Sequence, residues 1–274
     1  EVEVMARDSA TEGGRFQVMS SDGTPLAVWV DGSGPPLVLV HGSLTDHTTF
    51  EALVKELRGS VTTFSMDRRG FGASGDAAGY AIEREFEDVA AVVDSVAARA
   101  GAPVALWGHS YGAGCAMGGA ALTSSVHRLI LYEPGLGLSY PAGSIERIEA
   151  AVAAGDMDAA IVAVLVQILE LSAEDVDAMR AGPRWPVLLA AGPTVPRECR
   201  VEDGWVYRPG CFDRIAAPAL LLSGSASPPA LIEATQRAAA AIPGARIQRL
   251  EGHAHLAHKT DPGMIAGIIR QFII

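Results

Sequence analysis

The pentapeptide Gly108-His109-Ser110-Tyr111-Gly112 lies between the apolar run Pro103–Trp107 and a run of small residues, Ala113–Ala120. A strand, a sharp turn centred on a serine and a helix is the arrangement of a nucleophile elbow. The turn is too tight for side chains at both flanks, which is why glycines stand at 108 and 112. The serine between them is expected in a strained conformation with its hydroxyl clear of the backbone. The following helix aims its N-terminal amides at any oxyanion formed there. In a chain with 30 glycines the pattern alone is weak. Its place between a strand and a helix makes it specific.

Around this motif, short apolar runs alternate with helical patterns. Phe16–Ser20 and Leu26–Val30 read as a hairpin about Ser21-Asp22-Gly23, and further strands are expected at Leu37–Val40, Val61–Met66, Arg128–Tyr132, Ala219–Leu222 and Arg246–Leu250. Residues 49–58, 83–100, 229–241 and 262–272 read as helices; Phe86, Val89, Val93, Val96 and Ala97 mark one face of the second. From Ser144 to Ala191 the pattern is helical throughout, with starts at Gly155-Asp156 and Ser172–Asp175, whereas 193–212 reads as irregular. Strands apolar on both faces and separated by helices imply an α/β fold: a mostly parallel central sheet flanked by helices. Residues 1–134 and 213–274 form its core, and 135–212 a helical cap insertion over the carboxyl ends of the strands, where such sheets bind ligands.

A net charge of −11 with no basic cluster argues against nucleic acid or an anionic membrane as partner. The segment Glu1–Arg7 has no signal pattern, and no apolar run nears membrane-spanning length, so a cytoplasmic location is expected. Three cysteines make no disulfide framework: Cys115 is expected in the core, and Cys199 and Cys211 flank a loop and would pair only in an oxidising compartment. No Cys/His spacing suits zinc, and no metal or other cofactor is expected. The expected partner is a small-molecule substrate, with the chain a monomer or homodimer.

Four motifs follow one another in the order found in α/β-hydrolases. They are His41-Gly42 after a buried strand, Asp67-Arg68-Arg69-Gly70-Phe71-Gly72 with Ser74 after the next, the Ser110 elbow, and Gly252-His253-Ala254-His255 after the last strand. Nearly the whole chain resembles that superfamily, in its capped serine-hydrolase branch. The resemblance implies Ser110 as nucleophile and His255 as general base, with His253 and His258 as competitors for the latter role. It implies the main-chain N–H groups of Ser43 and Tyr111 as the oxyanion hole, and a structural role for Asp67–Gly70. A serine rather than an aspartate in the elbow sets the chain apart from the haloalkane dehalogenase and epoxide hydrolase branches. His109 is expected to pack beside the site, and Asp46 and His47 either to line the pocket mouth or to cap the helix at 49–58.

One departure stands out. Ser223–Pro229, where the resemblance places the third triad member, has no carboxylate, and Ser227 occupies the usual position of the acid. Glu133, at the end of the preceding strand, is the replacement; Asp213 and Glu233 are weaker candidates, and a Ser–His dyad stays open. Three functions remain. The first is hydrolysis of a carboxylic ester, thioester or lactone through an acyl-enzyme on Ser110. The second is a non-hydrolytic reaction (lyase, cyclase or isomerase), and the third is ligand binding without turnover. The cap residues Ile145, Ile148, Val152, Ile161, Leu165, Ile168, Leu169 and Met179, with Trp185, Trp205 and Tyr207, predict an apolar pocket for a small to medium substrate. Any of Arg184, Arg197, Arg200 and Arg208 could meet a substrate carboxylate or simply pair at the surface.

Overall fold

The computed structural model describes residues 14–274; the Glu1–Arg7 segment read above lies outside them. Among the described residues eight strands form one sheet: β1 (Gly14–Met19), β2 (Pro25–Gly32), β3 (Pro36–Val40), β4 (Thr62–Met66), β5 (Val104–His109), β6 (Val126–Tyr132), β7 (Ala219–Gly224) and β8 (Arg246–Leu250). Their order is β1-β2-β4-β3-β5-β6-β7-β8. β2 runs antiparallel to both neighbours, and every pairing from β4 to β8 is parallel. β3 and β5 are buried along their whole length, which is why they read as unbroken apolar runs rather than as alternation.

Helices cover both faces. α1 (Glu51–Leu57) packs on one side, and α2 (Ile82–Ala100) and α3 (Tyr111–Leu122) on the other. α2 buries Phe86, Val89, Val93 and Val96 along one stripe and ends on Gly101 in the left-handed conformation. α3 is buried almost all round, so it has no polar face and is built of Gly and Ala. A Cβ at Gly118 would sit 2.1 Å from the Phe86 ring; the small residues are what let α2 and α3 approach.

Between β6 and β7 the chain leaves the sheet and forms α4 (Ser144–Ala153), α5 (Met157–Gln167), α6 (Ala173–Ala181), α7 (Trp185–Ala191) and α8 (Val195–Gly204). Asp156 caps α5, and Ser172 with Asp175 makes a reciprocal capping box on α6. These helices share an apolar cluster that includes Ile148, Ile161, Leu165, Trp185 and Val195, closed by Leu44 and Phe71 of the sheet domain. α9 (Pro229–Ala240), α10 (Ala257–Thr260) and α11 (Pro262–Ile273) complete the fold. Among the described residues no helix is long and apolar enough to cross a membrane.

One expectation is corrected. Residues 195–204 are a helix, not an irregular stretch. Pro196 falls in the first turn, where a missing N–H costs nothing, and the buried positions are Val195, Glu198, Cys199 and Glu202. Their i, i+3, i+4, i+7 spacing is helical, but two of the four are carboxylates, so no apolar period was visible. Cys199 and Cys211, expected to pair only in an oxidising compartment, are both free here, Cys199 buried in α8 and Cys211 exposed.

Candidate active site

The site gathers at the carboxyl ends of the parallel strands. Ser110 follows β5 with φ 56° and ψ −127°, a conformation that costs a non-glycine residue about 1–3 kcal/mol. It is over-determined by its surroundings: its N–H donates to the Tyr132 carbonyl at 2.9 Å, and its carbonyl accepts from Ala113 N–H at 2.9 Å. The flanking glycines are needed for close approach. A Cβ at Gly112 would lie 2.0 Å from the His41 carbonyl oxygen, and one at Gly108 would lie 2.5 Å from Cα of Ala113. Gly112→Ala is therefore expected to destabilise the protein by about 1–3 kcal/mol, the scale of overpacking against atoms that cannot yield. A urea-unfolding midpoint no lower than that of the wild type would contradict this.

Ser43 and Ser110 line the same cavity, and the loop carrying Ser43 is held by His41 and Arg68. His41 is fully buried, and burial, then the Arg68 charge, brings its pKa down to about 4. Its Nε2 accepts the Arg68 N–H at 3.0 Å, which leaves Nδ1–H to donate to the Gly42 carbonyl at 2.8 Å. Arg68 Nη1 donates to the same carbonyl at 3.1 Å. With the Gly42 oxygen tied on this side, the N–H of the same trans peptide, that of Ser43, points the opposite way. Tyr111 is the first residue of α3, where an N–H has no acceptor within the helix. Gly42 also has little room: a Cβ there would be 2.9 Å from the Ser110 Cβ.

His255 is brought to Glu133. Its Nδ1 lies 2.6 Å from Glu133 Oε2, and Glu133 Oε1 accepts the Gly224 N–H at 2.7 Å. Glu133 is completely buried and takes a positive φ of 46° to turn inward from the end of β6. The loop bearing His255 is pinned at three points. The Tyr132 hydroxyl donates to the Ala254 carbonyl and accepts from Ala257 N–H, and His109 Nε2 donates to the His255 carbonyl at 2.8 Å. Burial, then the neighbouring His258 and His255, holds the His109 pKa well below its usual value, so the ring is neutral.

The other histidines are elsewhere. His253 is partly exposed and 3.8 Å from Asp261. His258 is fully buried and packs on His109 and Phe50. Ser227 is buried with its hydroxyl unpartnered, beside Gly224 rather than bonded to the imidazole. His47 and Asp46 belong to the frame as well. Burial acts to raise the Asp67 carboxyl, but the bonds it takes from His47 and Ala73 outweigh that and bring it down to about 2; Trp29 Nε1 donates to it as well. Asp46 caps the short turn at His47–Phe50.

The cavity, about 100 Å³, is walled by Val164, Leu165, Ile168, Leu169, Met179 and Leu188 from the inserted helices. Trp185 packs inside the insertion, and Trp205 and Tyr207 pack with Phe212 away from the cavity. Of the four arginines, Arg184 bonds Thr48 and Thr45, Arg197 pairs with Asp76, and Arg200 pairs with Glu146 and Glu149. None of the four lines the cavity.

Two residues that the sequence did not single out do line it: Glu198 and Glu202, one turn apart on α8. Glu198 pairs with the fully buried Arg68, which also forks onto Glu85 at 2.7 and 2.8 Å. Glu202 accepts from the Tyr140 hydroxyl at 2.5 Å, and burial pushes its carboxyl up to about 8. With a native value above the unfolded one, Glu202 contributes stability that is complete below the unfolded value and is lost as pH rises toward 8. Glu202→Gln lacks this titration. Its unfolding free energy relative to the wild type is expected to grow by about 1.4 kcal/mol per pH unit across that window and then level off. Urea unfolding of both proteins from about pH 5 to about pH 9 checks this; a constant difference would contradict it.

The sequence matches the profile of the alpha/beta hydrolase family over residues 37–268. No curated protein matches it significantly. Among solved structures, an alpha/beta hydrolase from Sphaerobacter thermophilus is 33% identical, with 94% of this chain and 100% of that one covered and a TM-score of 0.82. An esterase from a Rhodococcus species is 23% identical (94% and 98% covered, TM-score 0.68). A carboxylesterase from Bacillus subtilis is 19% identical (96% and 92% covered, TM-score 0.71). On the family profile and the 33% relative together, the chain belongs to the alpha/beta hydrolase family.

Proposed function

We propose that this protein is a serine hydrolase that cleaves a carboxylic ester, thioester or lactone with a small to medium apolar acyl group. One observation carries the reading. The strained Ser110 opens onto the same cavity as His255, whose Nδ1 is held 2.6 Å from a buried carboxylate. A serine hydroxyl is a weak nucleophile at neutral pH unless an imidazole takes its proton. With Nδ1–H donating to Glu133, the free Nε2 of His255 is the basic nitrogen. The Ser110 hydroxyl makes no hydrogen bond among the described residues, and such contacts commonly tighten only when substrate is bound.

In this reading Ser110 Oγ attacks the acyl carbon as its proton passes to His255 Nε2. The N–H groups of Ser43 and Tyr111 hold the tetrahedral oxyanion. Imidazolium, stabilised by Glu133, then protonates the leaving oxygen or sulfur, and the acyl-enzyme forms. Water repeats the sequence and releases the acid. The insertion, residues 135–212, acts as the cap, and its apolar wall selects the acyl group. The Rhodococcus and Bacillus proteins are esterases by name; at their identities the likeness supports the fold, and the assignment of chemistry rests on the site.

A fluorophosphonate probe tests the proposal directly, together with a panel of simple esters, thioesters and lactones. Stoichiometric labelling of Ser110 with turnover of at least one class is expected. A folded protein that is neither labelled nor active on the panel would overturn the reading.

A further inference from the structure

Two side chains that line the cavity carry a buried atom without a hydrogen-bond partner: Nδ1 of His109 and Oε2 of Glu198. The first lies against the backbone of Gly42, where a Cβ would be 3.3 Å away. The second is a carboxylate oxygen on a side chain only 1% exposed, and nothing in the mechanism above uses it.

Its environment says what it lacks. Oε1 of Glu198 is engaged by Arg68 Nη2. That guanidinium also serves Glu85, whose oxygens take Arg68 Nε and Nη2 as well as the Tyr80 hydroxyl. One cation thus faces two carboxylates, and donors are spent on Glu85 while Oε2 of Glu198 goes without. Burial raises the pKa of the Glu198 carboxyl, with the Arg68 charge and, more weakly, the Ser43 hydroxyl acting against it, yet Oε2 receives no hydrogen bond from either. A buried carboxylate oxygen left bare is costly, and ionised carboxylates only accept. Val164, Leu165 and Leu188 form the apolar part of the wall, and none of the donors that also line it, among them Ser43, Tyr140 and Lys259, bonds Oε2, which leaves that acceptor for a donor carried by the ligand.

We propose that Glu198 is a specificity residue, accepting through Oε2 a hydrogen bond from an N–H group that the substrate's acyl part carries next to its scissile carbonyl. The position follows from Ser43. Its main-chain N–H is the assigned holder of the carbonyl oxygen, and it lines the same cavity as Ser110 and Glu198. The donor therefore sits within a bond or two of the reacting carbon, and the rest of the acyl chain runs along the apolar wall. This inference rests on the serine-hydrolase reading and narrows its substrate class to α-amido and related acyl groups.

Three methyl esters of equal chain length separate the possibilities: N-butanoylglycine methyl ester, its N-methyl analogue, and methyl heptanoate. Acid release is followed by titration for the wild type and Glu198→Gln. Arg68 holds the carbonyl of the introduced amide at the Oε1 position, so its NH2 replaces the Oε2 acceptor with a donor. The wild type is expected to favour the N–H ester over both others by about 10-fold or more in kcat/KM, the scale of one hydrogen bond to a charged group. In Glu198→Gln that ratio should fall to about one or below, whatever the absolute rate. Equal wild-type rates on all three esters would overturn the inference, and so would an unchanged ratio in Glu198→Gln. An equal wild-type preference for the N–H and N-methyl esters would mean that Glu198 donates to the amide carbonyl instead, and would overturn it too. If the variant does not fold, the wild-type ratios decide. Labelling of Ser110 by the fluorophosphonate probe separates the two levels. Labelled enzyme without N–H preference refutes the role of Glu198 alone, whereas unlabelled and inactive enzyme refutes the hydrolase reading and this inference with it.

Discussion

Ser110→Ala is expected to abolish fluorophosphonate labelling and to lower ester turnover by about 10⁴-fold or more, with the fold intact. The magnitude is that of removing the nucleophile from a triad, where binding and the oxyanion donors leave only a residual acceleration. The prediction is clean because the hydroxyl makes no hydrogen bond among the described residues, while the strain at φ 56° resides in the backbone and is the same for alanine. Stability should change by less than about 1 kcal/mol, within the usual range for removing a group with no structural partner. Turnover on the natural substrate that survives Ser110→Ala but not His255→Ala would point to lyase, cyclase or isomerase chemistry on the same scaffold. The measurement is kcat/KM on the best ester of the panel, paired with a urea-unfolding curve.

Glu133→Gln should cost about as much, roughly 10⁴-fold in kcat, through the tautomer of the histidine. The side-chain carbonyl of the introduced glutamine would stay with the Gly224 N–H, because that donor lies 2.7 Å from Oε1 of Glu133 and is buried. The amide NH2 then faces His255 Nδ1 and can only donate. The imidazole proton moves to Nε2, and the base is lost without moving a heavy atom. Glu133→Asp keeps the charge but shortens the reach, so its loss should be smaller than that of the glutamine. Ser227→Ala provides the contrast: its hydroxyl is buried and unpartnered, so labelling and turnover should be unchanged. A large loss in Ser227→Ala together with a small one in Glu133→Gln would move the orienting role to the loop after β7.

The displaced acid shows how a site can be both legible and hard to read. Glu133 was recognisable from the sequence because it ends a strand and keeps the order serine, acid, histidine. What places it against His255 was invisible there. The carboxylate needs a positive φ to turn inward and a donor to hold its second oxygen, and the donor is the Gly224 N–H of the strand that lost its own acid. The bonds that His109 and Tyr132 make were equally cryptic. Their part is to hold the carbonyls of His255 and Ala254, and sequence spacing carries no information on backbone atoms 146 and 122 residues away.

Helix α8 is the plainest loss. Its proline, arginines and glutamates read as an irregular stretch, since apolar periodicity is the signal on which helix recognition depends. Burial of Glu198 and Glu202 became possible only because Arg68 and Tyr140 converge on them from other parts of the chain.

From local pattern alone came the alternation of strands and helices, the elbow with its serine, the histidine after the last strand and the acid at the end of β6. These are properties of a segment: the period of its apolar residues, the sharpness of a turn, the residue type at a strand end. The tertiary structure alone decided which of three histidines meets the carboxylate, which carbonyls fix the loops, and that two carboxylates line the cavity. Those outcomes depend on distances between segments and on the desolvation each side chain meets when the segments close. Neither quantity exists before the chain has folded.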